Sequence, residues 1–402
     1  MTIHRTASLW LAVAALAGAT SARAAELAVE TDFPGGSGVA EVDRKTNTVR
    51  LDPADHPGKG WRCWWYARLV GLTPGEAITL DVGEAPWATP KRAALSTDGG
   101  ETWQQSEEGV AEGKRMRYTL AFDTETALVA WGPPFVPSDA GALVRELSED
   151  SPDAESFVLC RTREGRDTPA LRIGRTAGRE GGADRPLVWV HARQHAWESG
   201  SSWVGKGFAE WAVSDAPAAV RLRERCEIVF VPIMDVDNAH RGAGGKNQEP
   251  QDHNRDWTDA PHWNAVAAAQ KELRAAAEAD RLAAYVDLHN PGAGSLFPYF
   301  YITPRELLGE PAADNLDRFL LLAKEEITGP LRFTGQTIAS GQDYDPKAWT
   351  AISKNWVARL GTPAIAVTLE TAWNAPASHT EGYLAVGRQL GKTLARYIEA
   401  GL

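Results

Sequence analysis

His195 and Glu198 stand three positions apart, shortly after an apolar run from Leu187 to Val190. That spacing turns two side chains toward one point. A catalytic zinc takes three protein ligands from imidazole and carboxylate side chains and leaves its fourth position to water or substrate. His289 closes another apolar run, Ala283 to Leu288, and would be the third ligand. Arg241 follows the run Glu227 to Ile233, and Glu370 follows Ala364 to Leu369. Ligands of open α/β sheets bind beyond the carboxyl ends of the strands, so residues far apart in sequence can meet there. An H-x-x-E pair alone is a weak signal. The order of the whole set and its strand-end placement carry the reading.

Other hydrolytic devices are missing from the sequence. It has no G-x-S-x-G elbow for a nucleophilic serine and no H-E-x-x-H helix. The three cysteines, Cys63, Cys160 and Cys226, show no C-x-x-C spacing, which argues for unpaired thiols over a disulfide framework or a thiolate metal site.

Holding such a set together calls for a sheet with helices around it. From about residue 138 the chain alternates strand-like runs (those above, and Phe297 to Ile302) with amphipathic stretches at Ser202 to Val213, Asn264 to Ala279, Ala312 to Ile327 and Gly382 to Ala400. This alternation predicts an α/β domain with a parallel or mixed sheet. Ahead of it, short β-prone runs such as Val39 to Val42, Trp64 to Val70 and Tyr118 to Phe122 are separated by Pro-Gly and Gly-Gly turns, which predicts a small β-sandwich. The Pro-rich stretch Gly132 to Pro137 marks the boundary. The expected organisation is therefore a leader over 1–24, an N-terminal β-sandwich over 25–137 and a catalytic α/β domain over 138–402. A length of 402 residues fits two domains.

The leader is read from basic Arg5, an apolar run from Leu9 to Ala17 and the small-residue end Ala22-Arg23-Ala24. It predicts export, to the periplasm or the medium, with no membrane span left after cleavage. With 43% apolar and 24% charged residues, the rest has an ordinary globular composition. The formal net charge of -11 would become about -13 without the leader's two arginines, and acidic balance argues against a nucleic-acid partner. No oligomeric state is read from the sequence.

Several motifs are shared with a known family. Ala192-Arg193-Gln194-His195-Ala196-Trp197-Glu198-Ser199-Gly200, then Asp252-His253-Asn254-Arg255-Asp256-Trp257, Asp287-Leu288-His289 and Thr368-Leu369-Glu370 together resemble the carboxypeptidase-A-like zinc metallocarboxypeptidases, most nearly their cytosolic-carboxypeptidase-like branch. In the front domain, Trp65-Tyr66-Ala67-Arg68 and Pro133-Pro134-Phe135 are similar to that branch's β-domain. The resemblance implies a mixed-sheet α/β/α carboxypeptidase domain behind a β-sandwich, one Zn2+ per chain on His195, Glu198 and His289, and a peptide substrate with a free C-terminal carboxylate. It also implies roles. Asn254 and Arg255 would grip that carboxylate, and Asp252 would orient His195. Arg241 would polarise the scissile carbonyl, with Glu370 the general base that takes a proton from the attacking water and returns it to the leaving amine. The same metal site would serve a zinc amidohydrolase or deacylase on a small N-acyl substrate, and an inactive carboxypeptidase-like binding module would keep the fold without turnover. Intact Glu370 argues against the last.

Departures from the family bear on specificity. Members that remove acidic residues place a basic residue ahead of the catalytic glutamate, where this chain aligns Trp356, with Lys354 two positions earlier. Asn290 and Pro291 replace the branch's usual pair after the third ligand, and Tyr344 is the candidate for the tyrosine found near substrate. Some of Trp197, Trp257, Trp356 and Trp373 are expected to line the cleft, whereas Trp61, Trp64 and Trp65 are read as core. His191 is read as structural. His240 and His253 are read as solvated loop residues, and His56, His262 and His379 as surface residues.

Overall fold

The computed structural model describes residues 26–86, 88–174 and 185–401. The leader read over residues 1–24 lies outside the described residues.

Alternation along the apolar strands decides the architecture of the larger domain. In the strand Leu187–Ala192, Val188, Val190 and Ala192 join one apolar core while Leu187 and Trp189 join another. The strand Glu227–Val231 splits in the same way, with Ile228 and Phe230 in the first core and Val229 and Val231 in the second. Strands apolar on both faces need cover on both faces. Helices Ser199–Val213 and Thr380–Glu399 supply it on one side through Val204, Phe208, Leu390 and Leu394. Helix Asn264–Glu278 supplies it on the other through Val266, Ala269 and Leu273.

The resulting sheet has eight strands in the spatial order Ala154–Arg161, Asp167–Ile173, Glu227–Val231, Leu187–Ala192, Leu282–His289, Ile365–Glu370, Tyr299–Ile302 and Thr337–Ala339. The central four run parallel, and antiparallel pairings flank them. This is the mixed sheet expected from the sequence. Its register matters chemically, because it sets His289 directly beside Glu370, and His191 beside Asp287. The parallel strands thus deliver their last residues to one end of the sheet, where side chains from different strands meet.

Between Ala28 and Ala130 lie two five-stranded sheets, one antiparallel throughout and one mixed. Trp65, next to the first sheet, packs 6.2 Å from Tyr118 of the second, and Trp64 and Trp65 are both buried. Helix Pro137–Asp150 opens the larger domain, with proline at its first turn where a missing N–H costs nothing. The front domain's core does not end at that boundary. One continuous cluster runs from Val49, Trp65 and Leu80 through Trp131 into Trp197, Trp373 and the first face of the large sheet.

Elements sit within a few residues of where periodicity placed them. Helix Ser202 to Val213 starts earlier, at Ser199, and the strand from Ala364 begins at Ile365 and ends on Glu370 itself. The hairpin Ala154–Arg161 with Asp167–Ile173 and the short helices Pro217–Arg225 and Val236–Arg241 were not read from the sequence. All three cysteines are free. Among the described residues no helix is long and apolar enough to cross a membrane.

Candidate metal centre

After the strand Leu187–Ala192 the chain turns sharply at Arg193, whose φ of 63° is unusual for a residue with a side chain. The turn is held by Arg193 itself, which is buried and donates to the Phe135 carbonyl at 2.9 Å. Five residues later Glu198 occupies the N-cap of helix Ser199–Val213, with no side-chain bond to the helix N–H groups. The two Glu198 oxygens are divided between two rings: Oε1 lies 2.8 Å from His195 Nδ1, and Oε2 lies 2.6 Å from His289 Nδ1. Ligand atoms of His195, Glu198 and His289 all fall within 4.8 Å of one another, and all three residues are buried.

Each imidazole is backed on its far nitrogen by a carboxylate. Asp252 Oδ1 is 3.0 Å from His195 Nε2, and Asp287 Oδ2 is 3.0 Å from His289 Nε2. Such pairs fix the ring orientation and leave the Nδ1 lone pairs toward a metal. Asp252 is itself held by the backbone N–H groups of Asn247 at 2.9 Å and Asn254 at 2.8 Å. Asp287, wholly buried, accepts from Gln194 at 2.6 Å and from the Ser353 hydroxyl at 2.7 Å, with His191 Nε2 2.9 Å from its other oxygen. His191 is thus a buried prop. Burial opposes the negative charges, yet the neighbouring imidazoles outweigh it, bringing the Glu198 carboxyl down to about 2 and Asp252 well below its usual range. Two imidazoles and one firmly ionised carboxylate, each oriented from behind, are the donor set that a catalytic zinc requires.

Glu370 behaves oppositely. It is 8% exposed and its Oε2 is buried without a hydrogen-bond partner. Burial pushes its carboxyl up to about 8, with the negative charges of Glu198 and Asp287 adding to the rise and His289 opposing it. Two carboxylates of one site therefore take different states, one ionised between the two imidazoles and the other poised to exchange a proton near neutrality.

Asn254, Arg255 and Glu370 line the same cavity as His195 and His289. Asn254 Nδ2 is 3.4 Å from His289 Nε2, and its Oδ1 accepts from the Ser353 N–H at 2.9 Å. Arg255 donates through Nε to Asp345 at 2.9 Å, which braces the guanidinium from the side. Tyr344 is at the rim, 46% exposed, with its hydroxyl 3.4 Å from that of Tyr301.

Arg241 is not brought to this cavity. It ends helix Val236–Arg241, pairs with Glu164, donates to Asn238 Oδ1 at 3.0 Å and lines a separate cleft together with His56, Arg166 and His240. The helix stops at Gly242 in the left-handed conformation, packed on the Gly35–Gly36 backbone of the front domain, so the Arg241 side chain leaves on the wrong side. Beside the His195 ring the cavity wall instead holds Lys246, with Nζ 3.5 Å from both Asp252 Oδ2 and His195 Nε2. Its only sequence signal is proximity to the Asp252 motif.

Other expectations change as well. None of the four tryptophans lines the cavity: Trp257 and Trp356 belong to the core beneath the sheet, and Trp197 stacks on Trp373 at 5.8 Å in the other core. Trp356 therefore cannot present a pocket group, whereas Lys354 lines the cavity with its ammonium fully buried and one acceptor, Asn355 Oδ1 at 2.6 Å. Burial, and then the nearby Arg255, hold the Lys354 amine well below its usual range. His253 is buried and not solvated, stacked on Trp263 at 4.7 Å with its Nδ1 2.7 Å from Gln248. Asn290 binds both neighbours of the site, accepting from the Ser201 N–H at 2.6 Å and donating to the Thr371 carbonyl.

The sheet order agrees with what comparison shows. The sequence pattern of the peptidase M14 family of zinc carboxypeptidases matches residues 141–393, and the chain belongs to that family. Cytosolic carboxypeptidase 1 of Mus musculus is 33% identical over 257 residues, 53% of this chain and 21% of that protein. The same enzyme of Homo sapiens is 34% identical over 108 residues, 25% of this chain and 9% of that protein. The chain thus aligns with no more than about a fifth of these relatives' length. Among solved structures, a metallo-carboxypeptidase from Burkholderia cenocepacia superposes with a TM-score of 0.79 at 20% identity, covering 94% of this chain and all of the other. A metallo-carboxypeptidase from Pseudomonas aeruginosa, solved with (2-guanidinoethylmercapto)succinic acid, gives 0.73 at 20% identity over 92% of this chain and 99% of the other. These likenesses show the fold.

Proposed function

We propose that the chain is an exported, one-zinc exopeptidase that removes single residues from the free C-terminal end of peptides. The observation that carries this is a division of labour at one site: Glu198 bridges the Nδ1 atoms of His195 and His289, while Glu370, on the strand beside that of His289, has its buried carboxyl pushed up to about 8. Zinc held by His195, Glu198 and His289 would supply the positive charge that acidifies a water and polarises a carbonyl. Arg255 and Asn254 bind the terminal carboxylate, a planar guanidinium being suited to paired hydrogen bonds with it. Glu370 takes the proton of the attacking water and then hands it to the leaving amine. Lys246 faces the carbonyl oxygen as it gains negative charge, where a fixed donor is worth about 2.7–4 kcal/mol. Deeper in the cavity, the buried Lys354 amine would take up a proton as an acidic side chain of the departing residue enters beside it.

A peptide mixture read by mass spectrometry tests the reading. Free-ended peptides should shorten one residue at a time, their amidated counterparts should stay intact, and Glu370→Gln should leave both untouched. Release of acyl groups without trimming would make the chain a deacylase. A folded wild type that binds about one zinc yet cleaves nothing would make it a binding module. Export is tested on secreted protein, whose mature N-terminus should follow Ala24.

A further inference from the structure

Lys246 sits in a segment that cannot position itself. Residues 243–252 hold no helix or strand, and they include Gly244 and Gly245, residues whose backbones are the costliest to order. Yet Lys246 is only 17% exposed and its ammonium stands beside both a ligand histidine and the carboxylate behind it. Something outside the segment must hold it.

The holding bonds come from the N-terminal domain. Gly58, Lys59 and Trp61 run alongside and exchange backbone bonds with the segment: the Gly245 N–H donates to the Lys59 carbonyl at 2.8 Å, the Trp61 N–H to Lys246 at 2.9 Å and the Glu249 N–H to Gly58 at 2.8 Å. On its other side the segment rests on the ligand turn, where the Trp197 N–H donates to the Gly244 carbonyl at 3.1 Å. A Cβ on Gly60 would come within 2.5 Å of the Lys246 carbonyl, one on Gly244 within 2.1 Å of the Trp61 carbonyl, and one on Gly245 within 2.7 Å of the Ala196 nitrogen. Three backbones are therefore stacked without space between them: front domain, Lys246 segment, ligand turn. Trp61 and Trp197 close the edge with their rings 6.3 Å apart.

We propose that the Gly58–Trp61 segment of the N-terminal domain is a positioning element of the active site, which fixes the backbone of Lys246 so that its charge meets the reacting carbonyl oxygen. The proposal rests on the peptidase reading above and gives the front domain a part in catalysis. A charge that acts as the oxygen becomes negative contributes to the transition state more than to substrate binding, so its displacement lowers kcat and leaves KM.

The test compares two strained glycines in the full-length, zinc-loaded protein. Gly60 (φ 90°) faces the Lys246 backbone, while Gly75 (φ 78°) lies in the same domain with nothing within 4 Å of an added Cβ. Gly60→Ala should lower kcat on the order of 10- to 100-fold, with KM within about twofold and zinc content unchanged. Gly75→Ala should keep the wild-type kcat. Lys246→Ala should lower kcat alone, and adding Gly60→Ala to it should cost nothing more, because the two act through one charge. If Gly60→Ala does not fold, Gly244→Ala crowds the same contact from the other side and is read in the same way. An undiminished kcat in a trimming wild-type background, or losses that multiply in the double variant, overturns this proposal alone. A wild type that trims no peptide overturns the peptidase reading and this one with it.

Discussion

Glu370 and Lys354 are buried groups whose ordinary charge the fold opposes, and stability should record that cost. The Glu370 carboxyl keeps its proton up to about pH 8, whereas the unfolded chain releases it near the usual 4.5. Between those values unfolding sheds a proton, so metal-free stability falls as pH rises. Glu370→Gln, which imitates the protonated acid, should stabilise the metal-free chain by roughly 2–5 kcal/mol at pH 8 and by nothing at pH 4, while abolishing turnover. Lys354 carries the opposite sign, since its folded amine binds a proton less readily than the unfolded one. Stability is lost there as pH falls from the ordinary lysine range, and Lys354→Met should melt higher at pH 7 but trim acidic C-termini more slowly. Thermal melts of metal-free protein across pH decide both; a Glu370→Gln advantage that does not shrink on acidification would contradict the assignment. His195, Glu198, His289 and Glu370 were legible because each closes or follows an apolar strand. Lys246 was not, because a glycine-rich segment has no periodicity to say which way a side chain points, and Arg241 offered the more obvious charge.

At the scale of elements, the site depends on two helices pressed together at glycines. Gly207 and Gly387 lie where helices Ser199–Val213 and Thr380–Glu399 touch: a Cβ on Gly387 would come within 2.0 Å of the Val204 carbonyl, and one on Gly207 within 2.2 Å of the Leu384 carbonyl. Alanine usually strengthens a helix by up to about 1 kcal/mol over glycine. At Gly387 it should weaken the protein, because backbone must move, and the helix that moves carries Glu198 at its N-cap. Gly387→Ala should therefore lower both the melting temperature and zinc affinity. Gly141→Ala, in helix Pro137–Asp150 with open space around the added carbon, should raise stability by about 0.5–1 kcal/mol and leave zinc affinity alone. Equal effects from the two changes would count against the close-packed helix pair as the support of Glu198. These helices, and the parallel strands they cover, were readable from sequence because burial on defined faces imprints a period. The edge hairpin Ala154–Arg161 with Asp167–Ile173 escaped notice, since its outer strand is largely half-buried or exposed and ends in a bulge near Cys160.

For the whole molecule, the boundary placed near residue 137 is a boundary of architecture and not of cohesion. Domains that touch through small polar surfaces move and melt separately. Here Trp131, which closes the front domain, packs edge-on against Trp197 and Trp373 at 5.5 and 6.4 Å, inside a cluster spanning both domains. Backbone bonds join Gly58 to Trp61 with Gly245 to Glu249, and side-chain bonds join Lys91 to Asn374 and Gln105 to Ser378. Unfolding either domain alone would expose the apolar face of the other, so calorimetry of the full-length protein should show one transition. Metal must act on that same transition, because His195, Glu198 and His289 come from strand ends and a helix start that only the folded chain brings together. A ligand at 100 times its Kd adds about 2.7 kcal/mol to the folded state. Chelation should thus lower the single melting temperature by several degrees without splitting it, and zinc should restore it. Two separated transitions, with only the later one responding to zinc, would mean that the front domain folds independently and that the stacked backbones around Lys246 are not held from the N-terminal side.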